Sequence, residues 1–128
     1  MTLVDFLLTR YLDGGRDPKV GLDCWGLVRL ARHHLMGLPM LPEIAGEFEG
    51  RPHRITTAYR KQTAKMRPVP LGTPGSVIAV KRGSVCFHVA LMLDDGHVLE
   101  TVQKTGPRRL PLSAFRAAYS VNTLEAYA

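Results

Sequence analysis

Two cysteines, one tryptophan and few aromatics (7%) stand in 128 residues. Two cysteines cannot form a disulfide framework, and one isolated bridge is uncommon without an export signal. Sparse aromatics and scattered basic residues leave no stacking platform, so nucleic acid is an unfavoured partner despite a net charge of +6. No apolar run approaches membrane-spanning length. Met1 to Leu12 reads as a short amphipathic helix with Leu3, Phe6 and Leu7 on one face. It is too short and carries Asp5, so it is neither a signal peptide nor a span. Repeats and low-complexity tracts are absent, and no four-ligand metal spacing is present. His33 and His34 diverge on a helix, one expected at the surface and one partly buried. No cofactor or metal is expected. An apolar content of 45% and a charged content of 22% suit one globular domain over 1–128.

Asp23-Cys24-Trp25-Gly26-Leu27-Val28 places a cysteine where a turn becomes a helix. Asp23 is a good N-cap, and Leu27, Leu30, Ala31, His34 and Leu35 follow at helical spacing. Cys24 thus falls in the first helical turn, where unpaired N–H groups and the dipole favour thiolate, the nucleophilic form. The plainer reading is a small buried hydrophobe.

His88 opens an apolar strand through Leu93, and His97 to Val102 forms a second one. A two-residue loop at Asp95-Gly96 puts Glu100 on the face opposite His88. A three-residue loop, Asp94-Asp95-Gly96, puts both on one face, diagonally related, and Gly suits its last position. The second is favoured. Glu100 lies between Val98 and Val102 on its face and needs a partner, and His88 is the nearest. Cys24 as nucleophile, His88 as base and Glu100 as orienter follow the logic of an activated thiol. The ordinary alternatives are a satisfied strand histidine and a solvated glutamate.

Three segments resemble the NlpC family of cell-wall cysteine peptidases. Tyr11-Leu12-Asp13-Gly14-Gly15 resembles its Tyr-x-x-Gly-Gly element, and the Cys24 segment its Asp-Cys-Ser-Gly-Leu-Val box. Pro74-Gly75-Ser76-Val77-Ile78, with His88 to Leu93, Gly96 and Glu100, resembles its Pro-Gly-Asp strand and histidine hairpin. Trp25 replaces the usual serine, and Glu100 replaces the usual His, Asn or Gln. Trp25, followed by Gly-Leu-Val-Arg and a downstream Leu-Pro, resembles the subset attached to phage tail tips.

The resemblance implies an α+β, papain-like fold, with N-terminal helices and the nucleophile helix packed on a small antiparallel sheet. It implies hydrolysis of peptidoglycan stem peptides, with catalytic Cys24, His88 and Glu100. Tyr11, Asp23 and Trp25 become substrate-binding candidates, Tyr11 as an aid to the oxyanion. Trp25 fits a cleft wall and a core equally well. The implied partners are bacterial peptidoglycan and other tail-tip proteins. The implied location is the virion tail, or the bacterial cytoplasm before assembly, with action at the cell wall. The alternatives are a structural or assembly protein of the tail tip with a vestigial site, and a basic nucleic-acid-binding module.

Elsewhere, Ile55 to Met66 reads as a helix with a basic face, Ser76 to Val80 as a strand, and Lys81 to Ser84 as a turn. Lys104 to Arg109 reads as a basic loop, Leu112 to Ala118 as a short helix, and Ser120 to Tyr127 as a final strand open as a docking edge. Strand alternation points Cys86 to the same face as His88, near the site or filling the core.

Overall fold

A computed structural model describes residues 1–44 and 46–128. In chain order these form α1 (Leu3–Leu7), β1 (Arg16–Asp17), β2 (Gly21–Leu22), α2 (Cys24–Met36), α3 (Pro52–Thr63), β3 (Pro68–Val69), β4 (Val77–Arg82), β5 (Val85–Met92), β6 (His97–Val102), β7 (Gly106–Pro111), α4 (Leu112–Ala118) and β8 (Thr123–Tyr127). The class is α+β. Among the described residues, no helix is long and apolar enough to cross a membrane.

α1 is shorter than the 1–12 helix its apolar spacing suggests. Thr2 and Asp5 form a reciprocal capping box, but the helix ends at Leu8. Beyond it, Leu22 N–H donates to Arg10 O at 2.9 Å and Leu12 N–H to Leu22 O at 3.1 Å. Backbone pairing with β2 takes these residues from the helix. α2 begins and ends as its sequence dictates. Asp23 caps it by accepting from Gly26 N–H at 2.9 Å, and Gly37, at φ +65°, closes it in the left-handed conformation. α3 starts three residues before the expected Ile55 because proline is tolerated in a helix's first turn.

β4 to β8, with the short β3, make an antiparallel sheet in the order β3-β8-β4-β5-β6-β7. α2 and α3 cover one face, burying Leu27, Val28 and Ile55 with Val77, Ala79, Val89, Leu91 and Leu99. Phe115 of α4 covers the other with Ile78, Val80, Ala90, Met92 and Val98. Burial on both faces explains why β4 and β5 read as near-continuous apolar runs.

The β5–β6 hairpin has the three-residue loop. Leu91 faces Leu99, Met92 faces Val98, and Leu93 N–H donates to His97 O at 2.8 Å around Asp94-Asp95-Gly96. Gly96 takes the left-handed position, at φ +81°.

Several local expectations are corrected. The basic loop at Lys104–Arg109 is largely strand β7, paired with β6 from His97↔Pro111 to Val102↔Gly106. Pro107 and Pro111 suggest a loop, but β7 is an edge strand, where proline costs no ladder bond on the open side. The last strand is shorter than expected, and only its Thr123 to Glu125 part has an open side. β8 pairs with β4 over five residue pairs, and β3 covers its end at Ala126 and Tyr127. β4 extends to Arg82, leaving a tighter turn. His33 and His34 are both exposed, on the last turn of α2. Cys86 does not share the face of His88. Val80 pairs with His88 and Lys81 with Cys86, so Phe87 is an extra, bulged residue. The bulge resets the alternation and turns Cys86 into the core with Val89 and Leu91.

Candidate active site

The Cys24 end of α2 is built by close backbone packing. A Cβ on Gly26 would lie 2.4 Å from Gly15 O, and one on Gly15 would lie 2.2 Å from Gly21 O. Only glycine lets the Gly14-Gly15 turn sit against the helix's first turn. The buried Asp23 clamps the two together. Its Oδ2 accepts from Gly14 N–H at 3.1 Å, and its Oδ1 pairs with Arg16 Nη1 at 2.6 Å besides capping Gly26. Asp13 ties in the next loop, accepting from Phe48 N–H at 2.8 Å and Glu49 N–H at 3.1 Å. Spacing alone gave no sign of Asp13 or Arg16 in these roles.

His88 and Glu100 meet. His88 Nε2 lies 2.7 Å from Glu100 Oε1, and Glu100 is fully buried. Tyr119 Oη–H donates to the same oxygen at 2.8 Å, and Arg108 Nε–H to Oε2 at 2.6 Å. Burial pushes the Glu100 carboxyl upward, but the donors His88, Tyr119 and Arg108 hold it below its ordinary range. An ionised Glu100 accepts only, so His88 Nε2 carries the proton and Nδ1 is left as the basic nitrogen. The Tyr119 ring stacks on His88 with centroids 5.6 Å apart and planes 28° apart. The imidazole is therefore held at its edge and on its face.

Cys24 and His88 border one cavity of about 280 Å³, with Tyr11, Glu49, Phe87 and Thr101 among its walls. The β5–β6 ladder explains the opening. Its pairs stop at Leu91↔Leu99, so no cross-strand pair joins the segments carrying His88 and Thr101. Cys24 comes to this gap from the α2 side of the sheet, and His88 comes from the α4 side. Among the described residues no hydrogen bond links the two side chains.

The thiol corrects a sequence expectation. Burial, then the neighbouring Asp23 carboxylate, push Cys24 up to about 12. The N–H groups of Val89 and Trp25 favour thiolate but are outweighed. A helix N-terminus lowers a thiol's pKa only where desolvation and a capping carboxylate do not overrule it. Cys24 therefore rests as a thiol. Tyr11 and Tyr119 also stay protonated, raised first by burial and then by nearby acidic groups, so each hydroxyl is a donor.

The other two candidate residues fall differently. Asp23 borders the cavity, but both its oxygens are committed to the Gly14, Arg16 and Gly26 contacts above. Trp25 is a core residue, 2% exposed, outside the cavity wall, with its indole N–H donating to Pro42 O at 3.0 Å. Arg108, Tyr119 and Thr101 went unread in the sequence. Arg108 stands opposite Glu100 in the β6–β7 register, a signal hidden while β7 reads as a loop. Tyr119 follows α4 and carries no local signal. Among the described residues, no group of three or more His, Cys, Asp or Glu side chains is placed to hold a metal ion.

The fold and site thus define an α+β protein with a thiol and a carboxylate-anchored imidazole on one cavity. No protein-family model matches the chain, and no curated protein matches it.

Proposed function

We propose that the chain is a papain-like cysteine peptidase of the NlpC type, acting on peptidoglycan stem peptides. The observation that carries this reading is the imidazole fixed at Nε2 by a buried carboxylate, 2.7 Å away, on the wall of the cavity that holds Cys24. A partner that fixes the imidazole's tautomer and supports its protonated form is what a general base uses, and Glu100 supplies both.

The chemistry follows from the protonation states. Because Cys24 rests as a thiol, His88 Nδ1 takes the Sγ proton as sulfur attacks the substrate carbonyl carbon, and the C–S bond forms as the carbonyl π pair moves to oxygen. N–H groups at the start of α2 and the Tyr11 hydroxyl are the available donors to that oxyanion. Collapse breaks the C–N bond, and the Nδ1 proton goes to the leaving amine. His88 then deprotonates a water that attacks the thioester, which returns the proton to sulfur and releases the acid. Glu100 stays ionised throughout and holds the imidazolium. Delivery on a phage tail tip rests on the resemblance of the Trp25 segment alone.

The second reading is a structural tail-tip protein with a vestigial site. The buried thiol, high in pKa and without a hydrogen bond to His88, favours it. Release of new amines from purified peptidoglycan or a stem peptide, by wild type and Cys24→Ala, separates the two. Release by wild type alone supports the peptidase. If neither releases amines while Cys24→Ala supports normal assembly and infectivity, the structural reading holds.

A further inference from the structure

Glu100 and Thr101 are successive residues of β6, so their side chains leave opposite faces of the sheet. Glu100 points to the α4 side, where Tyr119 and His88 take it up. Thr101 shares its face with Leu99, which packs in the cluster containing Cys24. Thr101 is 1% exposed, yet its hydroxyl has no hydrogen-bond partner among the described residues, and Thr101 forms part of the wall of the Cys24 cavity. Two further buried polar side-chain atoms lack a partner among the described residues, Tyr59 Oη and Asn122 Nδ2, and neither residue borders this cavity.

An unpaired buried hydroxyl destabilises a fold, because it gives up its hydrogen bonds to water and gains none. Valine has nearly the same shape, suits a strand at least as well and carries no such penalty. Among the described residues nothing uses the hydroxyl. We propose that Thr101 Oγ is a ligand-facing group of this cavity, hydrogen-bonding the peptide group of the acyl compound that reacts at Cys24. A hydroxyl donates to a carbonyl oxygen or accepts from an amide N–H, so it can hold either side of a peptide unit. One strand then serves the site twice: Glu100 anchors the base from behind, and Thr101 holds the acyl group on the sulfur side. This inference rests on Cys24 being the reacting thiol.

Alkylation of Cys24 tests it without requiring turnover. Iodoacetamide carries an amide, and iodomethane carries no hydrogen-bonding group. Rates are read at Cys24 by peptide mass spectrometry for wild type, Thr101→Val, Thr101→Ala and Thr101→Ser. Loss of the hydroxyl slows iodoacetamide by about tenfold, the scale of one hydrogen bond, and leaves iodomethane unchanged. Thr101→Ser restores the wild-type ratio, and Thr101→Val melts no lower than wild type. An iodoacetamide-to-iodomethane ratio that is the same in all four proteins overturns the proposal. So does a Thr101→Val protein of lower melting temperature with an unchanged ratio, which gives the hydroxyl a structural partner. If the ratio falls but wild type cleaves no stem peptide, the peptidase reading fails and the Thr101 contact stands.

Discussion

Glu100 and Arg108 stand directly opposite each other across β6 and β7, and Arg108 Nε–H donates to Glu100 Oε2 at 2.6 Å. The pair joins a fully buried carboxylate to a guanidinium that is 39% exposed. Burying a carboxylate is costly unless its lone pairs are filled. Here three side chains on three different segments fill them, so the acid that anchors His88 is itself anchored.

That arrangement fixes a pH dependence. Glu100 has a lower pKa folded than unfolded, so its stabilising contribution is fully present above the ordinary carboxylate range. It is lost as pH falls through the depressed folded value. Glu100→Gln replaces one acceptor oxygen with an NH2 that cannot accept from its donors, at a cost on the order of 2–4 kcal/mol near neutrality. In urea unfolding at several pH values, the gap between wild type and Glu100→Gln should narrow on acidification. A gap that does not change with pH would mean the carboxylate is not ionised in the fold.

Cys24 rests as a thiol, pushed up to about 12, and Cys86 is pushed up to about 11, in both cases first by burial. Alkylation of Cys24 should therefore keep rising through the alkaline range without a plateau near neutrality. Cys24 should still react before Cys86, because the cavity reaches only Cys24 of the two. A neutral plateau at Cys24 would reveal a preformed thiolate and replace concerted deprotonation with a resting ion pair.

The sequence carried the site's signals in local patterns and hid them where long-range packing decides. Asp23 and Gly37 mark both ends of α2, and Asp94-Asp95-Gly96 sets a loop that puts Glu100 and His88 on one face. These depend on neighbours a few residues apart. The facing of Cys86 depends on a bulge at Phe87 whose cause lies in pairing with β4. β7 was obscured by prolines that an edge strand tolerates, and with it Arg108. The Cys24 thiol illustrates a different limit. Its helix position is legible, but its charge state is set by burial, which spacing does not reveal.

Gly26 separates two opposing effects. Alanine is a better helix former than glycine by about 1 kcal/mol, so an open site would gain stability. Here the new Cβ would meet Gly15 O at 2.4 Å, and the obstacle is backbone rather than a flexible side chain. Gly26→Ala should lower stability by about 1–3 kcal/mol, the usual range for overpacking. It should also disturb Cys24 alkylation, because the Gly14-Gly15 turn and the first turn of α2 must move apart. Unfolding in denaturant reads the first effect and thiol labelling the second. A stabilised protein would show that the turn yields freely.

Trp25 adjoins the nucleophile candidate in sequence but not in the cavity. Its side chain is buried, and its indole N–H is used by Pro42 O. Phenylalanine fills most of that volume but leaves the carbonyl without its donor. Trp25→Phe should thus lower stability by about 1–3 kcal/mol, from one lost hydrogen bond and a partly unfilled site. Cys24 alkylation and the KM of any peptide substrate should stay near wild type at temperatures where the variant is folded. Because Pro42 belongs to the segment that follows α2, local loosening should appear there as faster amide exchange. A KM that rises severalfold while the fold and Cys24 reactivity are preserved would return Trp25 to the cleft wall.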